Sequence, residues 1–174
     1  LADFCKEKKI SIILTAHNLE DQVETFFIRL SRGSGLYGLS SMKQISEISK
    51  KIHLVRPLLD VKKEKLIKIS KTVFGKYFKD PTNVNSKYLR TRIRSLKKSL
   101  EKSGINYDRI FQSIKNLATS RDTLDLYFKA IYKRIILKKR NKVFIKFNDL
   151  NILNQEMKMR VFEKLIKDLT NSYY

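Results

Sequence analysis

Along the chain, short continuous apolar runs alternate with stretches in which apolar residues recur every three or four positions. Residues 10–14 (ISIIL) are β-branched and bounded by polar residues, the pattern of a buried parallel strand. From Leu19 the spacing turns helical. Val23, Phe26, Phe27 and Leu30 share one face, Asn18 is placed to cap the helix, and Asp21 sits in its first turn. A glycine-bearing segment ends that helix and a polar stretch follows. The run HLVRPLL at 53–59 then predicts a second buried strand, closed by Pro57. Residues 61–74 carry Val61, Leu66, Ile69, Val73 and Phe74 at helical intervals, with Gly75 where a C-terminal cap belongs. KYFKD at 76–80 reads as a short strand before a turn, DPTN, at 80–83.

Strands alternating with helices in this way predict an α/β domain built on an open parallel sheet, Rossmann-like in class. The character then shifts. Residues 88–102 (YLRTRIRSLKKSLEK) read as one basic helix, broken by Ser103 and Gly104. Ile110, Ile114, Leu117, Leu124, Phe128, Ile131 and Ile135 mark a long amphipathic helix. Residues 138–142 (KKRNK) read as a charged loop, 143–147 (VFIKF) as a short strand, and Met157, Val161, Leu165 and Leu169 as a last helix. The expected organisation is therefore an α/β portion over 1–103 and a smaller, mainly helical domain over 104–174. The start at Leu1, with no methionine, and the stop directly after the last helix both read as cuts within a longer protein.

Charge changes the picture next. Lys plus Arg number 38 against 17 Asp plus Glu, a net charge of +21, so the natural partner is a polyanion, with nucleic acid first. A codon bias toward A and T would inflate lysine, but it would not deplete glutamate, so it accounts for only part of the excess. No apolar run is long enough to span a bilayer, and no segment joins a basic face to a bulky apolar one, so a membrane partner is not expected. The single Cys5 has no internal disulfide partner and fits a reducing, cytoplasmic setting.

Candidate chemistry concentrates in one stretch. In an open parallel sheet, ligands bind beyond the carboxyl ends of the strands. His17 follows the first apolar run by three residues, and Asp21 comes four later. An imidazole beside a carboxylate can accept a proton, orient a nucleophile or hold an ammonium. The bland alternative is a helix cap, with first-turn acids favoured by the helix dipole. Three of the five glycines, Gly33, Gly35 and Gly38, fall in SRGSGLYGL, where Arg32 and free backbone N–H groups could wrap an anion. A helix C-cap plus turn would read the same way. The segment is neither a Walker loop nor a dinucleotide fingerprint. Arg90, Arg92 and Arg94, spaced by two, fan across roughly 200° of a helix and suit contacts to phosphates or a solvated basic face. Two histidines and one cysteine supply no metal ligand set, and no nucleophile elbow is present.

Taken in order, TAHNLEDQVETFFIRLSRGSGLYGLSSM, RPLLDVKKEKL and KDPTNVNSKYLRTRIR resemble the tRNA(Ile)-lysidine synthetase family of the PP-loop, or N-type ATP pyrophosphatase, superfamily. The resemblance is carried by residues 1 to about 103, and by placement it implies that the helical domain over 104–174 binds tRNA. It implies a Rossmann-like ligase that adenylates C2 of cytidine 34 in the anticodon of tRNA(Ile) and then lets the ε-amine of free L-lysine displace AMP, using ATP and Mg2+. The family's AHH-x-DDQ-x-ET matches residues 16–25, which implies His17 and Asp21 as the residues that bind and activate lysine. RGSG-x-x-GL matches 32–39, which implies that Arg32, Gly33, Ser34 and Gly35 border the ATP and lysine pocket. D-P-S-N and F-L-R-N-R-x-R match 80–83 and 88–94, implying that Arg90, Arg92 and Arg94 meet phosphates of ATP or tRNA. Asn18, Glu20 and Thr91 depart from the family pattern while keeping polarity or charge.

The family's SGG-x-D-S loop for ATP does not occur and is expected upstream of Leu1, so this stretch alone is expected not to complete the reaction. Two alternatives stand beside this reading. A related thiolation enzyme would need cysteines beyond Cys5, and a basic tRNA-binding module would keep His17 and Asp21 only as a relic. An exposed edge on a truncated parallel sheet could also promote a homodimer.

Overall fold

A computed structural model describes residues 2–49, 51–78, 87–140 and 142–170. The chain divides into two compact units, Leu1–Thr119 and Ser120–Tyr174. In the first, α1 (Ala2–Glu7) leads to β1 (Ile12–Leu14), α2 (Leu19–Leu30), a four-residue α3 (Leu36–Leu39), β2 (Ile45–Ser49), β3 (Ile52–Val55) and α4 (Lys63–Phe74). Two short helices follow, α5 (Leu89–Ser95) and α6 (Lys97–Lys102), and then α7 (Tyr107–Ile135), whose first part completes the unit.

The sheet runs β1-β3-β2. β1 pairs parallel with β3 in the register Ile12↔His53 to Leu14↔Val55, the pairing expected of the two apolar runs. β2 lies antiparallel on the other side of β3. It was hidden in the polar stretch because ISEIS alternates only weakly, and it pairs with a bulge between Glu47 and Ser49. β1 is not buried: Ile12 is 56 % and Leu14 67 % exposed. Among the described residues only β3 flanks it, and the face it shares with Ile45 is uncovered.

Packing in this unit centres on α2. Leu19 and Val23 form one core with Tyr107, Ile110, Phe111 and Ile114 of α7, and Phe26, Phe27 and Leu100 pack against it. The helix begins as its sequence predicts, with Asn18 Oδ1 accepting from the Asp21 amide (3.1 Å) and Asp21 Oδ2 accepting from the Asn18 amide (3.0 Å), a complete capping box. α4 ends at Gly75 in the left-handed conformation, φ 68°.

Three expectations are corrected. Residues 76–78 adopt no strand, and the rest of KYFKD and the DPTN turn lie outside the described residues. The basic helix over 88–102 is two helices meeting at Leu96. There the Ser95 hydroxyl takes the Arg92 carbonyl (2.7 Å), and the Leu96 amide tightens onto Ile93 O (3.1 Å), so the regular ladder breaks. The glycine segment is also more ordered than a turn, since it closes into α3. Gly104, φ 84°, ends the run after α6, while the division into units falls within α7.

In the second unit, the latter part of α7 is followed by a hairpin of β4 (Ile136–Lys139) and β5 (Lys142–Ile145), then α8 (Phe147–Asn151) and α9 (Gln155–Thr170). The stretch read as a charged loop is therefore mostly strand, with Lys138 and Lys139 in β4 and Lys142 in β5. Ile135, Ile136, Leu150, Val161 and Leu165 make its core. Beside that core, Asp168 accepts from Lys164 (2.6 Å), Lys138 (3.1 Å) and Tyr132 (3.0 Å). Burial works to raise the Asp168 carboxyl, but these hydrogen bonds outweigh it and bring it down to about 2. Among the described residues no helix is long and apolar enough to cross a membrane.

Two outcomes follow for stability. Gly38 has no room for a side chain, since a Cβ there would stand 2.5 Å from Ser34 Cβ, whereas Gly35 faces open space. In chemical denaturation, Gly38→Ala should lose about 1–3 kcal/mol and Gly35→Ala less than about 0.5. Asp168 has a folded pKa below the ordinary 3.8, so its ionised form stabilises fully above about pH 4, and that contribution is lost as pH falls through about 2. Asp168→Asn should cost about 2 kcal/mol near neutrality, with the gap from wild type closing by about pH 2 in acid urea melts; a gap independent of pH would contradict it.

Candidate functional site

The carboxyl end of β1 delivers the chain directly into the N-terminus of α2. The Thr15 amide donates to Val55 O (3.0 Å), extending the parallel pairing one step, and the Leu19 amide donates to Val61 O (3.1 Å), fixing the start of the helix against the β3–α4 connection. Between these anchors His17 is half-buried, and a hydrogen bond of 2.9 Å joins its Nδ1 to Thr15 Oγ1. That bond fixes the ring and leaves Nε2 as the nitrogen able to exchange a proton with a ligand. Asp21, also half-buried, gives Oδ2 to the capping box. Its other oxygen is the one a cationic group could use. No hydrogen bond links His17 to Asp21 among the described residues.

The rest of α2 binds everything around it. Glu20 Oε2 accepts from the Lys63 amide (2.8 Å), capping α4 from a distance where Lys62 offers no side-chain cap. Gln22, 5 % exposed, forms a two-bond clamp on Met42, donating to its carbonyl (2.9 Å) and accepting from its amide (2.8 Å). Arg29 donates to the carbonyls of Gly38 (2.8 Å) and Ser41 (2.9 Å). These bonds hold Ser41 in a left-handed conformation, φ 54°, that a non-glycine residue adopts at a cost of about 1 kcal/mol. The glycine segment is thus strapped to α2, with Gly33 at φ 68° making the turn.

Its leading amides are engaged, where the sequence reading expected free ones. Those of Arg32 and Ser34 donate to Arg29 O and that of Gly33 to Leu30 O. Arg32, Gly33 and Gly35 are exposed and Ser34 is half-buried. They lie past the C-terminus of α2, while His17 and Asp21 lie at its N-terminus, and a helix of 12 residues spans roughly 18 Å at the usual rise. A group the size of an ammonium cannot touch both. A ligand of nucleotide length can.

The largest departure concerns the arginines. Glu24 is 1 % exposed, and its carboxylate receives a fork from Arg94, Nε to Oε1 at 2.7 Å and an Nη to Oε2 at 3.0 Å. Arg90 Nε lies 3.5 Å from Oε2, and an Arg90 Nη donates to Thr25 Oγ1 (3.2 Å). Arg90 and Arg94 are one helical turn apart and face inward. Arg92, on the far side of α5, is exposed. Burial pushes the Glu24 carboxyl up, opposed by Arg94, while the bond to Glu24 raises the Arg94 guanidinium. The sequence signal was available in the four-residue spacing of Arg90 and Arg94, together with a glutamate placed between Val23 and Phe27 on the apolar side of α2.

This pair closes one wall of a cavity of about 680 Å³, lined also by Glu20, Lys62, Tyr107 and Asp108. Lys62 and Asp108 bridge it at 2.8 Å. Tyr107 is 5 % exposed and its hydroxyl has no hydrogen-bond partner among the described residues, and burial pushes that hydroxyl up to about 12. Among the described residues no group of three His, Cys, Asp or Glu is placed to hold a metal ion.

The sequence of residues 1–100 matches the family model of the PP-loop domain. The chain belongs to the PP-loop family. It is 30 % identical, over its whole length, to the tRNA(Ile)-lysidine synthase of Wolbachia pipientis wMel, of which it covers 40 %. It is 41 % identical over 100 residues to the enzyme of the same name from Orientia tsutsugamushi, a match to 58 % of this chain and 22 % of that protein. Among solved structures it is similar to the U34-tRNA thiolase NcsA from Methanococcus maripaludis with its [4Fe-4S] cluster, at a TM-score of 0.49 and 20 % identity, over 66 % of this chain and 39 % of that one. The chain thus spans well under half the length of these curated PP-loop relatives.

The Glu24 pairing carries an outcome for this PP-loop domain. Arg94→Ala leaves a buried carboxylate with one distant cation and should cost about 3 kcal/mol in urea melts, whereas Arg92→Ala should cost less than about 0.5. Equal losses would show that the fork does not hold the domain together.

Proposed function

We propose that this chain is part of an ATP-dependent ligase that joins lysine to C2 of cytidine 34 in tRNA(Ile). The observation that carries the reading is the placement of His17, just before the cap of α2, and Asp21, on its first turn, beyond the carboxyl end of parallel strand β1 inside a PP-loop domain. The relatives named as lysidine synthases and the three ordered motifs support it. Membership of the PP-loop family supports ATP as co-substrate.

The chemistry asks little of the protein beyond placement and proton handling. The C2 oxygen of the cytosine attacks the α-phosphorus of ATP and pyrophosphate leaves. The lysine ε-amine then attacks C2, the C–O bond to AMP breaks, and the attacking nitrogen sheds its protons. Asp21 holds the incoming ammonium through the oxygen its capping bond leaves open. His17, held at Nδ1 by Thr15, takes a proton at Nε2 once the amine has become the nucleophile. Arg32 and the α3 turn, at the other end of α2, suit the distant part of a nucleotide-sized ligand. Of the three α5 arginines, Arg92 is the one whose guanidinium faces outward for a tRNA phosphate, Arg90 and Arg94 being engaged with Glu24. Among the described residues no group of three His, Cys, Asp or Glu is placed to hold Mg2+.

Because Asp21 completes the capping box, loss of activity on truncation to alanine would not separate catalysis from folding. Asp21→Asn does. Its side-chain oxygen still accepts from the Asn18 amide, so the thermal midpoint of the full-length protein should move by no more than a few degrees, while ATP-dependent incorporation of labelled lysine into tRNA(Ile) should fall at least 100-fold and tRNA affinity should stay within about two-fold. Retained lysine transfer would leave Asp21 as a cap alone, whereas no lysine transfer by the unaltered full-length protein would make the basic RNA-binding module the better reading.

A further inference from the structure

The β4–β5 hairpin has two unlike faces. Side chains alternate along each strand, and the register Ile136↔Ile145, Leu137↔Phe144, Lys138↔Val143, Lys139↔Lys142 puts matching residues on the same side. On the inner side Ile136 is buried in the core of its unit, Val143 packs against that core, and Lys138 reaches Asp168. The outer side shows Leu137 (38 % exposed), Lys139, Lys142 and Phe144 (49 % exposed). Arg140 follows β4 with φ 49° and is also exposed.

The cations on this hairpin differ in one respect. Lys138 is neutralised by Asp168, whereas Lys139, Arg140 and Lys142 form no ion pair among the described residues. The ion pairs that acids of the unit form lie away from the hairpin's outer face: Asp168 takes Lys138 and Lys164, Asp149 faces Arg134, Glu156 pairs with Arg160 and Asp122 with Arg121. A folded β-ribbon thus presents three unneutralised cations around an aromatic ring and an aliphatic side chain. An uncompensated cluster of cations is stable on a protein surface but costs self-repulsion, which a polyanion relieves.

We propose that the outer face of the β4–β5 hairpin binds RNA at an unpaired loop, with Phe144 stacking on an exposed base and Lys139, Arg140 and Lys142 holding the flanking phosphates. The inference rests on tRNA being the partner under the proposed function, and adds the surface and the mode. Unpaired bases are what an aromatic side chain can reach in RNA, because the deep groove of an A-form stem excludes it, and each stacked base is sequence-tolerant. Phosphates next to such a base lie within the reach of a lysine on the neighbouring strand position. An anionic membrane would use the same cations but would want a broader apolar face beside them than Leu137 and Phe144 provide.

Anisotropy titrations of the chain with a labelled tRNA(Ile) transcript, repeated across a potassium chloride series, test this directly. Replacing Lys139, Arg140 and Lys142 together by alanine should weaken binding at least ten-fold near 0.1 M salt, and should flatten the slope of log K against log salt by about 2. Phe144→Ala should weaken binding about five-fold or more with the slope unchanged. Replacing Lys65, Lys68 and Lys71, exposed cations of α4, by alanine removes the same charge and should move affinity far less. All these side chains are exposed, so circular dichroism melts should coincide and exclude misfolding. Equal effects from the two triple variants, an unaffected Phe144→Ala, or a loss seen only for phosphatidylserine vesicles would each overturn the proposal. The readout is RNA affinity. Unchanged affinity in hairpin variants of a protein that still transfers lysine would therefore refute the hairpin alone, while hairpin-dependent binding without lysine transfer would refute the ligation reading alone.

Discussion

The buried fork between Glu24 and Arg94 is the interaction on which the arrangement of the first unit depends. A carboxylate 1 % exposed is tolerable only when its lone pairs are satisfied and its charge is met. Here the partner comes from 70 residues further along the chain, so the pair joins α2 to α5 across everything folded between them. Such a pair adds little net stability compared with two apolar side chains of the same shape. It adds register: α5 can meet α2 at one height and one rotation only, because Arg90, one turn away, must reach Thr25 at the same time.

The same helix carries the other fixed points. Within 12 residues, α2 spends Glu20 on capping α4, Gln22 and Arg29 on the strap through Gly38 to Met42, and Leu19 and Val23 on the core with α7. The faces left for a ligand are those at its N-terminus. A site there inherits rigidity from five separate attachments, which is what a reaction limited by placement needs. The left-handed Ser41 is a cost of the same design, held by hydrogen bonds from Arg29 and to Gln22 O.

What could be read from the sequence followed from periodicity and local chemistry. The start of α2 was legible because a capping box is a four-residue rule, and the end of α4 because Gly75 meets a backbone demand. β2 and the β4 half of the hairpin were not. ISEIS and ILKK owe their strand conformation to a partner strand and, for β4, to an inner face that buries Ile136 and neutralises Lys138 through Asp168. Neither partner is local. The sequence already spread Arg90, Arg92 and Arg94 around the helix; what it did not supply was the carboxylate that the outer two, pointing one way, meet. Glu24 was passed over because a glutamate in a helix is ordinarily a solvated residue. Its burial depends on α5 lying across it, which no local pattern records.

Charge is distributed in a way that bears on both proposals. Of 17 acidic residues in a chain with 38 basic ones, five (Glu20, Glu24, Glu64, Glu101 and Asp108) line the cavity of about 680 Å³ beside the Glu24 fork, against four cations, Lys62, Lys63, Arg94 and Lys97. The surroundings of that cavity are therefore close to neutral, and elsewhere the excess of positive charge is larger than the average suggests. Long-range attraction to a polyanion survives such an arrangement, because at physiological salt the field of exposed lysines acts over about 8 Å and is summed over the surface. Near the cavity, that field is cancelled by carboxylates within a Debye length. A substrate carrying an ammonium group, as lysine does, would be repelled by a uniformly basic protein of charge +21. It meets no such barrier where the acids are gathered. Under the proposed function, binding a polyanion and admitting a cation would place opposite demands on one chain, and carboxylates gathered around α2 would meet both.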